Sequence, residues 1–257
     1  TDQVLKAYDE MMRASKVTLG DTVIHPAQLS CTRIFSKGTL TKGGRLYNFI
    51  QNKPEEVRVH INLNDEPTIE IDYWSIHPFL AYHQKGLHFN GDDPYTIEGF
   101  DRKPVKTAFN IMVNRTGKGS SKSAAQTLAK ELEIPLVEAK ELEQAIQELH
   151  SPIADLFNSG AGLLMQRKDS DIALRVLERF TANNIPIIPI YHSFLVSVRY
   201  TEDLILTMRD YYMDELYGGS PPLDIQGFKG IKAEARGYTE PMMKAIRKCF
   251  EGNSEGM

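Results

Sequence analysis

Thr68-Ile-Glu-Ile-Asp-Tyr-Trp-Ser-Ile-His-Pro78 is the stretch on which the reading of this chain turns. Ile69 and Ile71 alternate with polar positions, as in a strand with one buried face. The strand is expected to end at Asp72, with a helix starting near Trp74-Ser75, so a carboxylate stands at the mouth of the turn. Hard cations such as Mg2+ take oxygen ligands, and a carboxylate with the next backbone carbonyl offers two. An aspartate in this place can also serve as a helix cap. On this stretch alone both readings stay open.

Working outward, Val57-Arg-Val-His-Ile-Asn-Leu63 alternates and Asn64-Asp-Glu-Pro67 has turn chemistry, which predicts a hairpin feeding Thr68–Asp72. Ser75–Gln84 reads as a helix, and Gly91-Asp-Asp-Pro94 breaks the chain. On the N-terminal side, Val4, Leu5, Tyr8, Met11 and Met12 share a helical face. Gly43-Gly-Arg-Leu-Tyr47 suggests a tight turn that lets backbone approach a ligand, with Arg45 placed to grip a phosphate; a plain surface turn fits it too.

Arg102–Val113 reads as a helix whose start Pro104 fixes, and Arg102 and Lys106 lie one turn apart on one face. Two cations at a helix start can bind a polyanion such as a triphosphate, although solvated surface charges have the same pattern. Gly117-Lys-Gly-Ser-Ser-Lys122 is a flexible basic loop without phosphate-loop spacing, because Met112 occupies the first glycine place. Ser123–Glu133 and Leu136–Phe157 are expected as amphipathic core helices, followed by a long helix from Leu163 to about Asn183. On that helix Asp169 and Asp171 are two apart and point to different faces, which excludes one carboxylate pair. Pro186–Pro189 and Phe194–Val198 are apolar strands around the polar tip Tyr191-His-Ser193. Tyr200–Tyr212 reads as a helix, and a tail rich in Gly and Pro from Gly218 leads to a basic helical segment, Pro241–Phe250.

With 41% hydrophobic residues over 257 positions the chain can bury a real core, in one or two domains. A net charge of -4 excludes the global basic field that announces many nucleic-acid binders. Cys31 and Cys249 have no paired spacing, which argues for reduced thiols in a cytosolic compartment. There is no apolar run of membrane-spanning length and no signal-peptide pattern, so a cytoplasmic protein without a membrane partner is expected.

The ordered set G-G-R-L-Y, I-D-Y-W-S-I-H-P, an R-x-x-x-K helix, a Q-x-x-D helix and a Y-H-S-F hairpin tip resembles the family A DNA polymerases and their relatives, the single-subunit phage-type RNA polymerases. It looks closer still to uncharacterised polymerase-like proteins of bacterial genomes and mobile elements, whose corresponding stretches read similarly through S-G-A-G-L and D-S-D-I-A. The likeness runs from about Arg33 to Tyr212. It implies an α+β fold: an antiparallel palm sheet with flanking helices, a helical fingers insertion, and a minimal or absent thumb. The expected division is an N-terminal helical segment over 1–30, palm over 31–91 and 161–217, fingers over 92–160, and a tail over 218–257.

Carried over residue by residue, the resemblance makes Asp72 a metal ligand, with the Tyr73 carbonyl beside it. Arg102 and Lys106 hold the phosphates of the incoming nucleoside triphosphate. Arg45, with Tyr47 in the same motif, contacts the nucleic-acid strand, DNA or RNA. Gln166 and Asp169 lie on the helix that supports the metal hairpin. The cofactor implied is Mg2+ or Mn2+.

Three departures stand out. Where the family carries the second metal-binding aspartate, this chain has His192. Imidazole removes a negative charge and favours softer metals such as Mn2+, Co2+ or Zn2+. Losing an anionic group that stabilises transition-state charge costs about 3–4 kcal/mol. The aromatic positions of the fingers helix are Asn110 and Asn114, and the residue that gates ribose against deoxyribose is His77. Two functions follow as expectations: a nucleotidyltransferase acting at a nucleic-acid 3′ end, or an impaired polymerase-like subunit that binds nucleic acid or nucleotide. In either, a second protein subunit is expected to supply the nucleic-acid clamp, or the strand is bound weakly.

Overall fold

A computed structural model describes residues 1–117, 123–216, 223–226 and 244. The basic loop beyond Gly117, the helical segment over 241–250 and Cys249 therefore lie, wholly or almost wholly, outside the described residues. The chain forms two compact units. The first takes Thr1–Phe35, Gly44–Trp74 and the chain from Asp169 onward; the second takes Ser36–Gly43 and Ser75–Lys168.

The first unit is built on an antiparallel sheet. Helix α1 (Asp2–Ala14) buries Tyr8, Met11 and Met12, and is followed by β1 (Val17–Leu19) and β2 (Thr22–Val23). That short hairpin turns at Gly20, φ 57°, and is absent from the helical reading of the N-terminus. Three-residue strands are too short for alternation to reveal them. β3 (Thr32–Phe35) and β4 (Gly43–Tyr47) pair as a separate two-stranded ribbon. The two glycines expected at a tight turn instead begin a strand, with φ of 72° and 83°. A Cβ on Gly43 would come within 2.6 Å of Ser36 Oγ, so this position has room only for glycine.

The strand expected over Val57–Leu63 is shorter. Glu55–Arg58 forms the short helix α2 behind Pro54, and only Ile61–Leu63 (β5) is extended. Asn64 and Asp65, with φ of 52° and 65°, make the two-residue turn into β6 (Glu66–Tyr73). Two successive left-handed residues match the twist of a tight hairpin, and Asn and Asp tolerate that conformation. Further along the chain α7 (Gly162–Ala182) precedes β7 (Ile187–Ile190) and β8 (Ser193–Ser197), after which α8 (Thr201–Leu216) leads to β9 (Leu223–Gln226). The sheet order is β2-β1-β5-β6-β8-β7, with β9 also paired to β6.

Ile69 and Ile71 are fully buried, and α8 lies against β6 and β8 with Leu204, Met208 and Tyr212 buried. This apolar contact fixes the strand register, because a one-residue slip would move the isoleucines to the opposite face.

The second unit is helical: α3 (Ile76–Gln84), α4 (Arg102–Asn114), α5 (Ala124–Glu131) and α6 (Leu136–Leu149). Ser123 caps α5 through a reciprocal capping box with Gln126. The single helix expected over Leu136–Phe157 breaks at His150 into a 3-10 turn, Ser151–Leu156. Pro152 lacks the amide that a continuing α-helix needs.

Candidate active site

The register of the sheet assembles the site in the first unit. β6 and β8 run antiparallel with Asp72 opposite Ser193, and the amide of Tyr73 donates to the His192 carbonyl at 3.3 Å. Asp72 and His192 are thereby brought together: His192 Nε2 is 3.5 Å from Asp72 Oδ1. On the other side of the ring, Nδ1 is 3.7 Å from Asp169 Oδ2. Asp169 is 1% exposed and also faces Arg45, with 3.8 Å between guanidinium and carboxylate. The result is a row Asp72, His192, Asp169, Arg45 supplied by β6, the β7–β8 turn, α7 and β4.

Burial works against a charge on His192, but the Asp72 carboxylate and the Asp169 contact outweigh it, and its pKa lies above the ordinary histidine value despite Arg45. Tyr191, the other turn residue, has φ 56°. A tyrosine held left-handed costs about 1 kcal/mol or more, and such residues concentrate at functional sites. Its ring meets the Tyr47 ring edge-on, with centroids 6.1 Å apart, and lies under the Arg45 guanidinium at 5.1 Å. Asn48 anchors the end of β4 by donating to the Pro189 carbonyl at 2.7 Å.

Two neighbouring ion pairs brace this end of the sheet. The Arg33 side chain is almost fully buried; it pairs with Asp171 at 2.5 Å and donates to Ser170 Oγ and the Gly44 carbonyl. Asp169 and Asp171 thus serve different arginines, as their spacing implies. Glu70 takes two hydrogen bonds from Arg58, at 3.0 and 2.7 Å, and one from Ser193 Oγ at 2.8 Å. A buried carboxylate is tolerable only when paired in this way.

Tyr73 directs its ring into the core, where it stacks on Tyr212 and its hydroxyl donates to the Met208 carbonyl at 2.5 Å. The ring is therefore turned away from any ligand, and only the backbone of this residue can serve a site at the strand end.

In the second unit Arg102 pairs with Asp93 at 2.6 Å, donates to Ser75 Oγ at 3.1 Å and lies over the Tyr95 ring at 5.2 Å. Lys106 is exposed on the same helix. His77 Nδ1 stands 3.4 Å from Asn110 Oδ1, which brings two of the sequence candidates together. Asn114 is exposed and donates to the Asn110 carbonyl at 2.8 Å; a Cβ on Gly162 would collide with its amide, which explains the glycine there. Gln166 is half-buried on the first turns of α7.

Sequence reading did not find Asp169 as a partner of His192, nor Tyr191 as a ring beside Arg45. The spacing of Asp169 and Asp171 excluded one shared pair but carried no signal for two separate ones. The donor set suits a divalent cation: carboxylates satisfy a hard ion, and the imidazole adds a nitrogen donor. Ligand atoms of His192 and Asp169 lie within 4.8 Å of each other. Among the described residues no helix is long and apolar enough to cross a membrane.

No family model and no curated protein matches the sequence. Among solved structures the chain is similar to the POL domain of Pol1 from M. smegmatis in complex with DNA primer-template and dNTP, with a TM-score of 0.52 and 13% identity. The similarity covers 78% of this chain and 48% of that one, so the protein spans about half the length of that structure. At this identity the likeness establishes a polymerase-like fold of mixed helices and antiparallel sheet.

Proposed function

We propose that the protein is a nucleotidyltransferase of polymerase type, extending a nucleic-acid 3′ end by cation-dependent phosphoryl transfer. The observation that carries this reading is the meeting of Asp72 and His192 at adjoining strand ends, 3.5 Å apart. Asp72 and His192 would hold Mg2+ or Mn2+, with Asp169 behind the imidazole. A bound divalent ion polarises the attacking hydroxyl and offsets charge on the transferring phosphoryl group.

The chain's own residues do the remaining work. Asp169 and Asp72 fix the plane of the His192 ring from its two sides. Arg45 offers a cation for a strand phosphate, and the Tyr47 and Tyr191 rings beside it suit stacking by bases. Arg102 and Lys106 bind the triphosphate, so a phosphate must replace the Asp93 carboxylate on Arg102. His77, held near Asn110, contacts the sugar, and Asn110 and Asn114 take the place of stacking rings.

A second reading is favoured by one residue, His192: a polymerase-like subunit that binds nucleic acid or nucleotide without turnover. Primer extension with Mg2+ and with Mn2+, comparing wild type, Asp72→Ala and His192→Asp, separates the two. Extension by wild type that is lost in Asp72→Ala is the result expected of the transferase. A silent wild type with an active His192→Asp supports the binding subunit. Silence of wild type and His192→Asp alike contradicts the transferase.

A further inference from the structure

Arg33, on β3, ties together the chain segments that flank both members of the Arg45–Asp169 pair. Its side chain is 3% exposed. Nε donates to the Gly44 carbonyl at 2.8 Å, on the residue before Arg45. Nη2 donates to Ser170 Oγ at 3.2 Å and to the Asp171 carboxylate at 2.5 Å, on the two residues that follow Asp169. Nη1 donates to Thr1 Oγ1 at 3.1 Å, and the guanidinium lies 5.1 Å from the centre of the Phe35 ring. A single planar fork thus joins β4 to α7 beside both site residues, which the spread of its five N–H donors allows.

The geometry of the pair depends on such a tie. The Arg45 guanidinium and the Asp169 carboxylate stand 3.8 Å apart, beyond hydrogen-bond distance, so this contact alone does not lock their separation. Their separation follows from where β4 carries the one and α7 the other. A carboxylate as buried as Asp169 is costly when it drifts from its cation. Arg45, 21% exposed, is within reach of solvent and lies over the Tyr191 ring. Any slip of β4 against α7 therefore redirects the cation that a strand phosphate would meet.

We infer that Arg33 is a positioning residue: it fixes the Arg45–Asp169 pair, and with it the direction of the Arg45 guanidinium toward a strand phosphate. The inference rests on the reading of Arg45 as a strand contact, and goes beyond it in giving a role to a buried side chain that itself meets no ligand.

The test is binding of fluorescent single-stranded DNA and RNA oligonucleotides to the full chain over a range of salt, with thermal melting of each variant. Arg45→Met is expected to weaken binding on the order of tenfold and to lower the slope of log K against log salt by about 0.7, the loss of a phosphate contact. Arg33→Lys keeps the charge but not the fork; it should weaken binding roughly threefold to tenfold and lower the slope in the same sense. A side chain only 3% exposed has no phosphate contact of its own to lose, so a changed slope reports on Arg45. In an Arg45→Met background, Arg33→Lys should cost nothing further. Asp171→Asn loosens only the helix end of the tie and should act in the same direction with a smaller effect, which decides the matter if melting shows Arg33→Lys unfolded. If Arg45→Met loses binding while Arg33→Lys and Asp171→Asn keep wild-type affinity and slope, the Arg33 assignment is overturned and the Arg45 contact stands. An equal cost of Arg33→Lys with and without Arg45 marks a general structural role and also overturns it. A wild type that binds neither oligonucleotide, or an Arg45→Met that binds like wild type, overturns both.

Discussion

Two histidines, one in each unit, show what their surroundings make of the same side chain. His192 sits at a strand end between the carboxylates of Asp72 and Asp169, and its pKa is raised. His150 is fully buried where α6 ends, against the rings of Phe109, Tyr82, Phe89 and Phe157. It contacts the Pro94 carbonyl at 2.8 Å and the Tyr82 hydroxyl at 3.2 Å, and burial lowers its pKa to about 4. Burial opposes charge in both places; only the first supplies carboxylates to offset it. His192 belongs to a charge-holding site and His150 to a core.

The largest expected effect concerns catalysis at the first histidine. If His192 replaces an anionic ligand, His192→Asp should raise Mg2+-dependent primer extension by roughly a hundredfold to a thousandfold. A variant no faster than wild type in Mg2+ removes the argument that charge at 192 limits this site.

His150 gives the next effect, on stability. Its folded pKa lies below the ordinary value of 6.5, so its neutral form is stabilising above pH 6.5, and that contribution is lost as pH falls toward 4. The loss should reach about 3 kcal/mol. Urea unfolding at pH 7 and pH 4.5 measures it, and His150→Gln should flatten the difference between the two.

For metal-free His192 the sign reverses. Its raised pKa makes the protonated form stabilising at low pH, and that contribution disappears as pH rises through the folded pKa. Imidazole proton resonances should therefore titrate above 6.5 for His192 and below it for His150, and Asp72→Asn should move the His192 titration down. Coincident titrations would erase the contrast between the two sites.

The smallest effect is expected at Arg102, which Asp93 engages. Asp93→Asn should tighten nucleoside triphosphate binding roughly twofold to fivefold, the range of a partly exposed ion pair. Unchanged binding would show that Arg102 does not meet the phosphates.

Long periodic elements were legible in the sequence. The strand that carries Asp72, the helix from Arg102 and the hairpin tip at His192 follow from alternation, Pro104 and two apolar runs. Short elements were not: β1, β2 and β9 have three, two and four residues. Side-chain partnerships between distant elements were legible only through the motifs. Nothing local in Asp169 announces His192, and nothing in Leu223-Asp-Ile-Gln226 announces Asp72, because both meetings depend on register set by the buried isoleucines of β6. The helix break at His150 was readable in hindsight from Pro152, whereas the aromatic enclosure that depresses its pKa was not.

The most direct test is anomalous diffraction from crystals soaked in Mn2+. A manganese peak bonded to the Asp72 carboxylate at the end of β6, with His192 completing its ligands, is the expected result. Crystals that bind manganese only elsewhere, with Asp72 and His192 still in contact and no ion between them and solvent, would contradict it.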